Sequence, residues 1–208
     1  MKSDIKKKSG FTLIEMIGVI AIIAILAAFV TPKVFQSIED SKITRFVGET
    51  PGYAAAVTKW YKDIGTLQSL NASGVAATPD TSFQVELIAN QGTSSTTGLW
   101  NSWNGPYIDS VANISLGSAL TVETNAGASG TSAPAATNST SWDLDDNNAN
   151  EMASKQVIAI KLTGILDGEF SKVDSMLDKG LTAARNATSG RVKYDSSGDV
   201  LYIYLASL

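Results

Sequence analysis

Residues 6–30 read KKKSGFTLIEMIGVIAIIAILAAFV. Lys6, Lys7 and Lys8 stand just before Gly10, and from Phe11 to Val30 the chain holds a single charged residue, Glu15. An α-helix rises ~1.5 Å per residue, so about 20 apolar residues cross the hydrocarbon of a bilayer. The stretch is of that length, and the lysines ahead of it place the N-terminus in the cytoplasm. Three readings fit these features. One is a plain membrane anchor. Another is a secretory signal cut near Ala24, Ala27 or Ala28, although the apolar run exceeds the usual length of such a region. The third keeps the helix and gives Glu15 a task. An ionisable group inside an apolar span costs about 3 kcal/mol on insertion scales, and it usually has a function and a partner. No basic residue lies within the span, so the partner of Glu15 comes from elsewhere.

The whole chain has 208 residues and a formal net charge of -4. The first ten residues hold four lysines and one aspartate, and without them 12 basic and 19 acidic residues remain. An acidic body argues against nucleic acid as a partner, because phosphate contacts need Lys and Arg. There is no cysteine and no histidine. Disulfides, thiolate metal sites and attached haem are thereby excluded, and so are Ser-His-Asp and Cys-His nucleophile arrangements. No phosphate-cradling glycine loop is present. These absences point away from an enzyme.

The run KKKSG-FTLIE followed by apolar residues resembles the class III signal of type IV pilins and of the pseudopilins of type II secretion. The resemblance covers about 25 residues and rests on the basic leader, the glycine, FTLIE and the apolar run occurring in order. It implies cleavage between Gly10 and Phe11 by a prepilin peptidase, N-methylation of Phe11, and retention of the apolar helix. It also implies that Glu15 meets the new α-amino group of Phe11, in a neighbouring subunit or within its own helix. A buried carboxylate and amine offset each other's desolvation when paired. Pro32 matches a proline that pilins commonly carry, where their helix is kinked or unwound; proline removes one rung of the hydrogen-bond ladder.

Beyond Pro32, residues Val34, Ile38, Phe46, Val47, Tyr53, Val57, Trp60 and Ile64 recur mostly at three- and four-residue steps, an amphipathic helix pattern. One face would pack on a head domain and the other would line a filament core. Thr50-Pro51-Gly52 predicts a break near 48–52, with Thr50 capping a new helix and Pro51 in its first turn. After Gly65, small and polar residues dominate. FQVELIA (83–89) reads as a short helix or strand, and GTSSTTG (92–98) as a loop. Trp100 and Trp103 precede the turn signal Asn104-Gly105-Pro106-Tyr107 and read as aromatics covering the edge of a small core. The Trp103 to Tyr107 cluster also resembles a segment of pilin-like domains that leads into the sheet. Residues 111–116, 119–124 and 157–162 read as strands, 125–141 as a low-complexity loop, and 169–178 as a short helix stopped by Gly180. Arg191–Tyr194 and Val200–Leu205 flank a hairpin turn with Gly198 in it.

The expected fold class is α+β: a long N-terminal hydrophobic helix followed by a mostly antiparallel β-sheet domain. The expected divisions are a cleaved leader (1–10), a transmembrane and filament-core helix (11–32), the amphipathic second half of that helix (33–65), and a globular head (66–208). No cofactor is expected, with one candidate exception. Asp143, Asp145 and Asn147 partly mimic the spacing of an EF-hand loop and suit a structural calcium, but Asn148 stands where the glycine belongs and Ser154 where the closing glutamate belongs. Asn71, Asn113, Asn138 and Asn186 each begin an N-x-S/T triplet, a pattern that a chain rich in these residues produces by chance.

The function this predicts is a structural subunit of a type IV pilus, processed in the inner membrane and then displayed as an extracellular filament. Its expected partners are further copies of itself, the prepilin peptidase, the membrane before assembly, and an inner-membrane platform with a separate ATPase. The alternatives are a type II secretion pseudopilin and a membrane-anchored monomeric binding protein. The length of the body and its Ser/Thr-rich loops favour the pilin.

Overall fold

The computed structural model describes residues 10–76, 83–93, 98–110, 116–125, 144, 157–178, 190–195 and 198–207. The chain forms two compact units, Met1–Ser41 and Lys42–Leu208. Helix α1, Leu13–Ile64, runs through both.

In the first unit the apolar side chains of α1 are exposed, from Leu13, Ile14 and Ile17 through Phe29, Val30 and Phe35. Its content of Leu, Ala, Met and Ile supports helix. By length and composition this is a helix that can cross a membrane. The helix continues through Pro32, and Thr31 Oγ1 donates to the carbonyl of Ala27 at 2.7 Å.

The expected break at 48–52 is absent, since α1 continues through Pro51. The reason is local and specific. Proline has no N–H, so Pro51 leaves the carbonyl of Val47 without its helical donor. The buried Thr50 hydroxyl fills that vacancy, donating to Val47 O at 2.8 Å. Thr50 is therefore an internal staple and not a cap. Burial of Phe46 before this turn and of Tyr53 after it fixes both flanks to the core. The helix ends where Gly65 takes a φ of 82° and its N–H bonds Tyr61 O at 2.8 Å. That left-handed conformation is one glycine adopts without steric cost.

The second unit holds α2 (Phe83–Ile88), a 3₁₀ turn (Gly98–Ser102), β1 (Ala119–Asn125), β2 (Val157–Thr163), α3 (Asp167–Leu177), β3 (Val192–Asp195) and β4 (Val200–Ser207). The strands form one antiparallel sheet in the order β1-β2-β4-β3. Period-two alternation sorts its side chains. In register across the four strands lie Val122, Ile160, Ile203 and Val192, all fully buried. They share one core with Ile43, Phe46, Val57, Trp60 and Ile64 of α1. Val34 and Ile38, placed on the same stripe by their spacing, are exposed.

The opposite sheet face carries Thr121, Lys161, Tyr202 and Lys193 in one row. Val157, Ala159 and Tyr202 form a second apolar cluster there, joined by Leu144, Val200 and Tyr204. Beside it Lys161 Nζ pairs with Glu123 Oε1 at 3.2 Å. The β3–β4 turn contains Gly198 as expected, yet among its described residues the one with positive φ is Asp199, at 51°. Tyr194 OH donates to Ile165 O at 2.9 Å, with Asp199 Oδ1 3.2 Å away.

FQVELIA resolves as helix α2, which turns Phe83, Glu86 and Leu87 inward. The Glu86 carboxylate is buried and accepts from Leu70 N–H at 3.0 Å and from the Ser69 hydroxyl. Trp100 corrects the reading of it as an edge cover. It is 1% exposed and packs edge-on against Trp60 at a centroid separation of 6.0 Å. Its indole N–H donates to Asn71 O at 2.8 Å, which satisfies its one polar atom inside the core. Trp103 is half-buried, packs edge-on against Tyr107, and donates to Glu86 O at 3.0 Å.

Candidate functional site

Gly10, Phe11 and Thr12 lie outside the helix, and α1 begins at Leu13. The Gly10–Phe11 bond is thus in exposed, non-helical chain, and the Phe11 side chain is also exposed. Thr12 ends this stretch by capping the helix. Its backbone N–H and its hydroxyl both donate to Glu15 Oε2, at 2.8 and 2.7 Å. In return Glu15 N–H reaches Thr12 Oγ1 at 3.4 Å. This is a capping box, in which the N-cap side chain and the carboxylate three residues later satisfy each other's backbone donors.

Sequence alone places the partner of Glu15 outside the span or at the Phe11 amine, whereas in the structure Thr12 meets it. The signal was present, since Thr-x-x-Glu before an apolar run is the sequence form of a capping box. Only Oε2 is engaged; among the described residues, Oε1 accepts no hydrogen bond. Pro32 lies within continuous helix 17 residues further on.

The candidate calcium ligands Asp143, Asp145 and Asn147 lie outside the described residues. So do Asn113, Asn138 and Asn186. Asn71 is exposed, and its Oδ1 accepts from the N–H groups of Ser73 and Val75, at 3.0 and 3.1 Å, which closes a local turn. An open cleft of about 410 Å³ is lined by Gly48, Glu49, Gly52, Tyr53, Tyr107, Ile108 and Ser110. Glu49 is paired there with Arg45 at 2.9 Å. Burial pushes the Tyr107 phenol up to about 12, helped by its bond to Asp63.

Residues 5–31 match the family model of the prokaryotic N-terminal methylation motif. The fimbrial protein EcpC of Eikenella corrodens is 40% identical over 72 residues, 34% of this chain and 47% of that protein. The type II secretion system core protein G of Pseudomonas aeruginosa is 40% identical over 58 residues, 28% of this chain and 41% of that one. A fimbrial protein of Neisseria meningitidis serogroup A is 38% identical over 74 residues, 35% and 44%. Each match therefore spans less than half of the relative's length. No solved structure matches the chain.

A capped, apolar helix behind a basic leader, carrying the methylation motif, defines a prepilin-type N-terminal segment. Through that segment the chain is similar to type IV pilins and to a type II secretion pseudopilin.

Proposed function

We propose that this protein is a structural subunit of a type IV pilus. It enters the inner membrane through residues 11–32, is cut between Gly10 and Phe11 by a prepilin peptidase, and is methylated on Phe11. Its helices then polymerise, driven by a separate platform and ATPase, and the heads face outward as a filament on the cell surface. The single observation that carries this is the methylation motif on an exposed apolar helix with one carboxylate. An apolar surface of this extent is stable in lipid or against other copies of itself, and not in water.

Glu15 is the register residue in this scheme. A carboxylate in an apolar helix bundle is costly unless a cation meets it. The α-amino group made by cleavage is such a cation near neutral pH. A second reading, a type II secretion pseudopilin, is favoured by the likeness to the core protein G. Both readings need Glu15, while a monomeric membrane anchor does not. Glu15→Ala is expected to be cleaved at Gly10 yet to lose nearly all of the chain from the sheared filament fraction. Wild-type filament yield from that variant would contradict the proposal.

A further inference from the structure

We infer that the cleft beside the second half of α1 seats the apolar helix of a second copy, at the turn that holds Phe29, Val30 and Lys33. The inference rests on the filament reading above and adds to it a contact site and the side chains that fill it.

The cleft has a volume of about 410 Å³, and Gly48, Glu49, Gly52, Tyr53, Tyr107 and Ile108 line it. Clefts of ~300–1,000 Å³ hold small molecules, so there is room for an aromatic ring and an aliphatic side chain beside it. Gly48 and Gly52 stand about one turn apart on α1, and both are exposed. Neither has the left-handed φ that calls for glycine, and a Cβ on either would meet nothing within 4 Å. Inside a helix only proline is less favourable than glycine. The fold of a single chain therefore gains nothing from these two glycines. A second helix does, because small residues four apart let its backbone come close.

The occupant follows from what the chain leaves uncovered and from charge. The apolar side chains of residues 13–35 are exposed, and Phe29 is 74% exposed. Lys33 is the one basic residue of that stretch, and among the described residues it has no ion pair. Phe29 and Val30 precede it by four and three residues and share its helix face. At the cleft, Glu49 supplies the opposite charge. Its Oε1 is held by Arg45 at 2.9 Å, while its Oε2 accepts no hydrogen bond among the described residues. A ring and an aliphatic side chain suit the apolar walls, and the ammonium suits the carboxylate beside them, which fixes register as well as attraction.

The test uses the full chain in a cell that processes it. Its readouts are the N-terminal mass, the amount of chain in sheared filaments, and thermal unfolding of the detergent-purified chain. Gly52→Leu fills the cleft from its floor. It is expected to start at Phe11 and to unfold no lower than wild type, because leucine favours helix over glycine. Its filament yield is expected to fall about tenfold or more, as the close helix approach is lost. Glu49→Lys and Lys33→Glu are each expected to lose filament to a similar degree, and the double exchange to restore at least half of the wild-type yield. Wild-type yield from Gly52→Leu overturns the inference. So does a lowered unfolding temperature, because Gly52 then serves the fold of the single chain. Full yield from either charge reversal, or no recovery in the double exchange, overturns it too, because Lys33 is then not the partner of Glu49. A wild type that keeps Met1 and forms no filament removes the filament reading and the inference together. Wild-type filaments beside undiminished Gly52→Leu filaments remove the inference alone.

Discussion

Single side chains decide where polar groups sit in apolar surroundings. Trp100 and Trp103 each send an indole N–H to a backbone oxygen, and Trp60 does the same to Thr66 O at 2.9 Å. Around Trp60 stand Phe83, Trp100 and Tyr107, all edge-on, the arrangement that ring quadrupoles favour. Tyr107 has a measurable consequence. Burial raises its phenol to about 12 in the folded chain, above the ordinary value near ~10. The stability it contributes is fully present below the ordinary value and is lost as pH rises through about 12, because the unfolded chain ionises first. Burial raises Tyr194 and Tyr202 in the same direction. In an alkaline absorbance titration, Tyr107→Phe is expected to remove one late-ionising tyrosine and leave the early ones. Removal of an early-ionising group instead would contradict this placement of the side chain.

At the scale of elements, α1 is the case where local rules and tertiary context disagree. Gly48, Pro51 and Gly52 fall within five residues, and helix propensity alone predicts a break there. The helix persists because Phe46 and Tyr53 are buried on either side and because the Thr50 hydroxyl takes the carbonyl that Pro51 orphans. Thr50→Val keeps the shape and removes that bond. Backbone amides of residues 52–55 should then exchange about tenfold faster in hydrogen-exchange measurements, equivalent to about 1.4 kcal/mol of local stability. Unchanged protection there would show that burial alone holds the turn. The strands were legible because alternation and turn residues are local signals: 157–162 and the 191–205 hairpin appear where the pattern puts them. FQVELIA was ambiguous because a short apolar run fits either period. Its helical state brings Glu86 to Ser69 and Leu70, a contact with a distant segment that no local pattern encodes. The depth of Trp100 was hidden for the same reason, since it depends on Trp60 of α1.

At the scale of the molecule, two units divide the work. The first is an apolar helix with its side chains exposed; the second is a sheet packed on the outer half of the same helix, with its own core. The methylation motif is legible in the sequence because it is local: leader, glycine, Phe11, Glu15 and apolar run lie in one short stretch, whereas the bonds that Thr12 makes to Glu15 come from the structure. On the filament reading proposed above, a helix that lives first in lipid and then among copies of itself needs an apolar surface, and the exposed apolar side chains from Leu13 to Phe35 supply one. The central claim is that the leader is removed and the apolar helix kept. The most direct measurement is the intact and N-terminal mass of the chain isolated from its native cell. A mature protein that begins at Phe11 and carries one extra methyl group is the predicted result. A chain that begins at Met1, or one cut beyond Ala28, would contradict the account.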